Sequence, residues 1–112
     1  MKLIYVCSPY RGETRKAERK NIKRARSYCR LVCQQGGIPF APHLLFIQFL
    51  KDANPRHRRL GMNMGIEMLK HCDELWAFGK PSAGMAAEIS FAMDYGIPIF
   101  WFDSEGRSIP SE

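Results

Sequence analysis

Residues 72–92 read CDELWAFGKPSAGMAAEISFA. The apolar, aromatic run at 74–78 predicts a buried strand, GKPSAG at 79–84 a tight loop, and 85–95 a helix halted by Gly96. A strand that turns through glycine into a helix is the repeating unit of parallel α/β sheets. The stretch also carries two separated carboxylates. Asp73 precedes the strand, and Glu88 falls in the first turns of the helix among Met85, Ala86, Ala87 and Ile89.

The alternation continues on both sides of this unit. Upstream, residues 2–8 predict a first strand that ends at Ser8-Pro9-Tyr10-Arg11-Gly12. A long helix follows, capped by Thr14, with Ala17, Ile22, Ala25, Cys29, Val32 and Cys33 as its buried stripe and Gly36-Gly37 as its stop. Residues 38–41 predict a short second strand closed by Pro42-His43. The apolar segment 44–50, LLFIQFL, has no clean period and reads as a short helix or a lid. Asn54 as N-cap and Pro55 at the first helical position begin a helix that runs to about residue 71. Its predicted face is Leu60, Met64, Met68 and Cys72, flanked by Gly65 and Leu69. Gly61 and Gly65, one turn apart, suit the close approach of another backbone. Downstream, 97–102 predicts a fourth strand, and the polar tail 103–112 reads as loose, with room for a short edge strand. The expectation is one α/β domain over residues 1–112: a three-layer, flavodoxin-like (Rossmann-like) sandwich with a parallel sheet of four to five strands and helices on both faces.

Composition narrows the class. No apolar run approaches the roughly 20 residues of a membrane span, and the N-terminus reads as a strand rather than a signal peptide. The four cysteines form no C-x-x-C pair. Cys29 and Cys33 lie one helical turn apart, but each cysteine reads as a small hydrophobe, as expected of reduced thiols in a cytoplasmic protein. The net charge is +6, and residues 11–30 alone carry nine basic against two acidic side chains. That helix reads either as a solvated outer face or as a polyanion surface. Only Tyr28 interleaves as an aromatic and no nucleic-acid motif is present, so the solvated reading is favoured and nucleic acid is not an expected partner.

In such sheets ligands bind beyond the carboxyl ends of the strands, where the strand order reverses. Four segments qualify: 8–12, 42–46, 79–84 and the tail after Phe102. The first offers Ser8, Tyr10, Arg11 and Gly12, an anion site if Arg11 forks onto phosphate beside helix-end amides. The second offers His43 and Phe46. The third offers Ser82, Gly84 and Met85, with neither a P-loop nor a G-x-G-x-x-G fingerprint. On spacing alone Glu88 has two readings: a partly desolvated carboxylate with a chemical task, or a solvent-side glutamate complementing the helix dipole. Asp73 sits on the amino side of its strand, which counts against catalysis. His57 and His71 fall on a helix expected to be exposed.

YVCSPYRG at 5–12 and GMAAEI at 84–89, preceded by CDELWAFG at 72–79, resemble the nucleoside 2-deoxyribosyltransferase superfamily; with IPFAPHLLF at 38–46 the match to its uncharacterised small members covers nearly the whole chain, while that to the characterised enzymes rests on the two loops. The resemblance extends to its nucleoside-monophosphate N-glycosidases and to a set of uncharacterised bacterial and phage proteins. It implies a glutamate nucleophile that attacks C1′ of a (deoxy)ribosyl group, releases the base and passes the sugar to another base or to water. By that resemblance Glu88 is the nucleophile, and Asp73, a recurrent aspartate of less certain role, stands beside it as a second catalytic candidate. Ser8, Tyr10, Arg11 and Gly12 would contact base and sugar or phosphate, with Ser82, Gly84 and Met85 holding sugar and 5′-phosphate. The transferases place an aspartate six residues before the nucleophile, where this chain has Ser82, and Leu-Gly where it has Ile89-Ser90. Serine with Arg11 suits a phosphorylated ligand. The implied function is an N-ribosyl hydrolase or transferase on a nucleoside 5′-monophosphate, with Tyr10 and Phe46 packing on the base. A non-catalytic nucleotide-binding protein on the same scaffold is the alternative. The resemblance calls for no metal or cofactor and implies a homodimer or larger assembly whose neighbouring subunit completes the site.

Overall fold

The two most fully buried strands, β1 (Leu3–Cys7) and β3 (Glu74–Phe78), lie side by side at the centre of the sheet. The computed structural model describes residues 1–110. Five strands run in the order β2-β1-β3-β4-β5, with β2 at Ile38–Phe40, β4 at Ile99–Phe102 and β5 at Ser108–Ile109. The first four are mutually parallel, with Ile4 opposite Glu74 and Leu75 opposite Ile99, and β5 is antiparallel to β4. This is the expected flavodoxin-like topology. Its order reverses between β1 and β3, so a crevice opens there beyond the strand ends.

The two-residue period of the strands sorts the core onto two faces. Tyr5, Cys7, Leu75 and Ala77 face a layer built from α3 (Pro55–Leu69) and α4 (Ala83–Tyr95), whereas Ile4, Val6 and Phe78 face α1 (Arg15–Gln34). A short α2 (Pro42–Leu45) and a 3-10 turn (Phe46–Gln48) form the segment read as a short helix or lid. Among the described residues no helix is long and apolar enough to cross a membrane.

Local signals account for the helix ends. Thr14 accepts from the Ala17 amide at 3.1 Å, and Asn54 accepts from the Arg56 and His57 amides at 2.9 and 3.3 Å. The buried line of α1 is Ala25, Tyr28 and Val32. Cys33, expected in the stripe, is exposed, because it lies one residue, about 100° of helix, beyond Val32. Tyr28 takes the place because it has a partner at each end. Its ring stacks on Phe78 at 4.1 Å and its hydroxyl donates to the Ser104 carbonyl at 2.7 Å. The stack continues from Phe78 to Phe102 (4.7 Å) and from Phe102 to Trp76 (4.9 Å). Arg15, Lys16, Arg19, Lys20, Lys23 and Arg26 point outward from α1, as a solvated face would.

Three further expectations change. The buried line of α3 is Gly65 and Leu69 rather than Leu60, Met64 and Met68, and Leu60 is exposed. The approach at Gly65 is made by a side chain, not a backbone: a Cβ there would lie 2.9 Å from the Tyr5 hydroxyl. The tail is not loose as far as it is described. Asp103 accepts from the Glu105 and Arg107 amides, both at 2.9 Å, turning the chain back so that β5 pairs with β4. Ser111 and Glu112, the end of the segment read as loose, lie outside the described residues.

Candidate active site

A cavity of about 410 Å³ opens at the carboxyl ends of the central strands. Its wall combines the loop after β1 (Tyr10, Arg11), α2 and the 3-10 turn (His43, Phe46), the first turns of α3 (His57, Arg58) and the start of α4 (Ser82, Gly84, Glu88). Three stretches distant in sequence, 10–11, 42–62 and 82–88, therefore converge where the strand order reverses.

Glu88 is the deepest charged group. It is 5% exposed, yet it lines the cavity. Helical spacing from the Ser82 cap turns it inward, beneath the strand ends. One carboxylate oxygen accepts a hydrogen bond from the Tyr5 hydroxyl, and the other accepts from the Cys7 thiol at 3.4 Å. Tyr5 and Cys7 are two residues apart on β1 and so share a face. Burial raises the Glu88 carboxyl above the ordinary carboxylate range, and the two hydrogen bonds pull it part of the way back. Burial, followed by the nearby Glu88 charge, lifts both the Tyr5 hydroxyl and the Cys7 thiol well above their usual values, so each stays a donor. The solvent-side reading of Glu88 is thereby set aside.

The opposite wall is aromatic and cationic. Tyr10 and His43 stack at 5.2 Å with their planes 17° apart. Burial pushes the His43 pKa down, against the pull of Asp52, so a neutral imidazole extends the flat surface of Tyr10. The Arg11 Nε lies 2.9 Å from an Asp52 carboxylate oxygen, and Arg58 approaches the other at 4.0 Å. His57 accepts from the Lys51 amide at 2.9 Å, which fastens the loop to the start of α3. Ser82 caps α4 by accepting from the Met85 amide at 3.3 Å.

Seven of the expected site residues line the cavity: Tyr10, Arg11, His43, Phe46, Ser82, Gly84 and Glu88. Four do not. Ser8 is buried at the end of β1, and Met85 is core, 1% exposed, its carbonyl facing the Cys7 thiol. Gly12 serves packing: a Cβ there would stand 2.6 Å from that of Ala17, so only glycine lets this loop fold against α1. Asp73 is a structural tie. Its carboxylate accepts from the Leu3 amide at 2.7 Å and its own amide donates to the Leu3 carbonyl at 2.8 Å, at the opposite end of the sheet from the cavity. A catalytic part for Asp73 has no geometric footing.

Other site residues had escaped the sequence reading. Asp52 reads as part of a turn and His57 as an exposed helix residue, yet both line the cavity with Arg58. Their signal is the cluster DANPRHRR at 52–59, one residue beyond the lid segment. Tyr5 reads as strand interior. Its signal is the hydroxyl, because a fully buried tyrosine needs a hydrogen-bond partner.

A family model described as a domain of unknown function (DUF7768) matches residues 2–102. No curated protein matches the chain. Among solved structures it is similar to a 2-deoxyribosyltransferase from Bacillus psychrosaccharolyticus, at 21% identity and TM-score 0.67, over 96% of this chain and 77% of that one. It is also similar to the 2-deoxyribosyltransferase of Leishmania mexicana, at 21% identity and TM-score 0.57, over 92% of this chain and 65% of that one. The resemblance read from the motifs thus holds at the level of the fold.

Proposed function

The chain belongs to the DUF7768 family, and on that premise we propose that it is an N-ribosyl hydrolase or transferase cleaving the N-glycosidic bond of a nucleoside 5′-monophosphate. Glu88 is its nucleophile. The observation that carries this reading is a carboxylate 5% exposed, held at both oxygens by Tyr5 and Cys7, on the wall of a cavity that also presents Arg11, Ser82 and the first amides of α4.

Attack by a Glu88 oxygen on C1′ forms a C–O bond as the C1′–N bond breaks. The electron pair of that bond leaves with the base, which takes up a proton from water. Water then attacks C1′, the ester bond breaks, and the sugar phosphate departs with the Glu88 carboxylate restored. A second base in place of water gives transfer. Tyr10 and Phe46 pack on the base, and Arg11, Ser82 and helix-end amides hold the phosphate.

Base release from a panel of ribo- and deoxyribonucleoside 5′-monophosphates, followed by chromatography, tests this reading. Turnover of at least one member is expected. Its absence across the panel, with an intact nucleotide recovered from the protein after heating, favours the binding-only alternative, for which Ser82 in place of an aspartate speaks. Glu88 must be ionised to attack, and its carboxyl is raised by burial. The acid limb of the pH–rate profile is therefore expected above the ordinary carboxylate range.

We also propose that a second copy completes the site. Leu45, Phe49, Leu60 and Met62 are all exposed on the segments that form the cavity wall. Light scattering is expected to give the dimer mass or a multiple of it, and a monomer at all concentrations would refute this.

A further inference from the structure

Asp52 is the only carboxylate besides Glu88 on the cavity wall among the described residues, and it stands among cations. One oxygen lies 2.9 Å from the Arg11 Nε, the other 4.0 Å from the Arg58 Nε. The two arginines depend on it unequally. Arg58 has a second anchor, donating through Nε and a terminal nitrogen to the Asp52 main-chain carbonyl at 3.2 and 3.1 Å. Arg11 is held at its guanidinium by the carboxylate alone among the described residues.

The pair is built to exchange. The Arg11 side chain is 59% exposed and that of Asp52 28%. Exposed ion pairs are weak and screened by salt. A phosphate dianion brings more charge and a forked contact to a guanidinium, so it displaces a carboxylate that is already wet. Asp52 cannot leave with its charge, because Arg58 keeps its backbone in place. It stays within reach of Arg11 and competes with the incoming phosphate for that guanidinium.

We propose that Asp52 is a specificity-determining residue: a counter-anion that holds Arg11, is exchanged for the ligand's phosphate, and limits the preference for phosphorylated over unphosphorylated ligands. This rests on the reading of the cavity as a nucleotide site, but its test does not need turnover. Calorimetry of the full chain with inorganic phosphate, a nucleoside 5′-monophosphate and the matching nucleoside, for wild type, Asp52→Asn and Asp52→Ala, separates the two.

Both variants are expected to bind the monophosphate and inorganic phosphate about three- to tenfold more tightly, within the range of coupling between neighbouring charges. The ratio of monophosphate to nucleoside affinity should rise with them. The gain should vanish when Arg11→Gln is added, because the competition acts through that guanidinium. Unchanged or weaker phosphate binding in both variants overturns the proposal, and so does a gain that survives Arg11→Gln. Tighter inorganic phosphate with no nucleotide binding would sustain the exchange while removing the nucleotide reading. Absence of phosphate binding by every form removes the exchange itself.

Discussion

Glu88→Gln is expected to lower base release by about 10³-fold or more, since glutamine keeps the shape of the side chain but cannot form the glycosyl ester. Ligand affinity should change far less. The same substitution should stabilise the fold at neutral pH. Burial raises the Glu88 carboxyl above its value in the unfolded chain, so over that interval the folded chain holds a proton that the unfolded chain has released. Wild-type stability therefore falls as pH rises from the ordinary carboxylate value through the folded one, and the full cost is present above it. A neutral glutamine avoids that cost. The two melting curves should diverge in favour of the variant as pH rises through this window. Equal base release by the variant would eliminate Glu88 as nucleophile. A variant less stable at neutral pH than at acid pH, relative to wild type, would contradict the buried-charge account.

Gly65→Val is expected to cost about 3 kcal/mol of stability, the upper part of the usual range for overpacking. The Cβ alone would stand 2.9 Å from the Tyr5 hydroxyl and 4.0 Å from both a Glu88 carboxylate oxygen and the Pro42 Cβ. The Tyr5 ring is fully buried between β1 and α3, and its hydroxyl is engaged by Glu88, so it has little room to retreat. Activity should fall with stability, because the displaced tyrosine is the donor that orients Glu88, the proposed nucleophile. Adding Tyr5→Phe removes the colliding oxygen and should recover part of the loss in urea denaturation, though not the activity. Full independence of the two substitutions in the double-mutant cycle would refute contact between them.

What could be read from the chain differs by element for physical reasons. Thr14, Asn54 and Pro55 act within a few residues of themselves, so the helix starts they mark were plain before any fold was known. The strand-to-helix unit around Glu88 was equally plain, as its period changes from two to the helical spacing within a short stretch. Glu88 itself could not be assigned a direction. Only the placement of α4 against β1 brings Tyr5 and Cys7 onto its two oxygens. Asp52 was illegible for a related reason. A carboxylate in a turn looks alike whether its partner is water or an arginine forty residues earlier. Tyr28 and Cys33 exchanged places because hydropathy favours cysteine, whereas the tyrosine has both a stacking ring and a carbonyl to satisfy its hydroxyl. Asp73 shows the reverse case. Its strand end was legible and argued against chemistry there, yet the resemblance carried it as catalytic, and its tie to Leu3 away from the cavity overturns that.

The stack of Trp76, Phe102, Phe78 and Tyr28 has a practical bearing on how the molecule is observed in solution. Trp76 fluoresces from the layer beneath α1, with its indole donating to Glu74 at 2.9 Å, and Trp101 packs against the opposite layer from β4. Neither indole lines the cavity. Their emission reports the integrity of the sheet and is silent about direct occupancy of the site. Quenching by an added nucleotide, once its own absorption of the exciting light is corrected for, would therefore signal a rearrangement carried through β3 or β4, and an unchanged spectrum would be no evidence against binding.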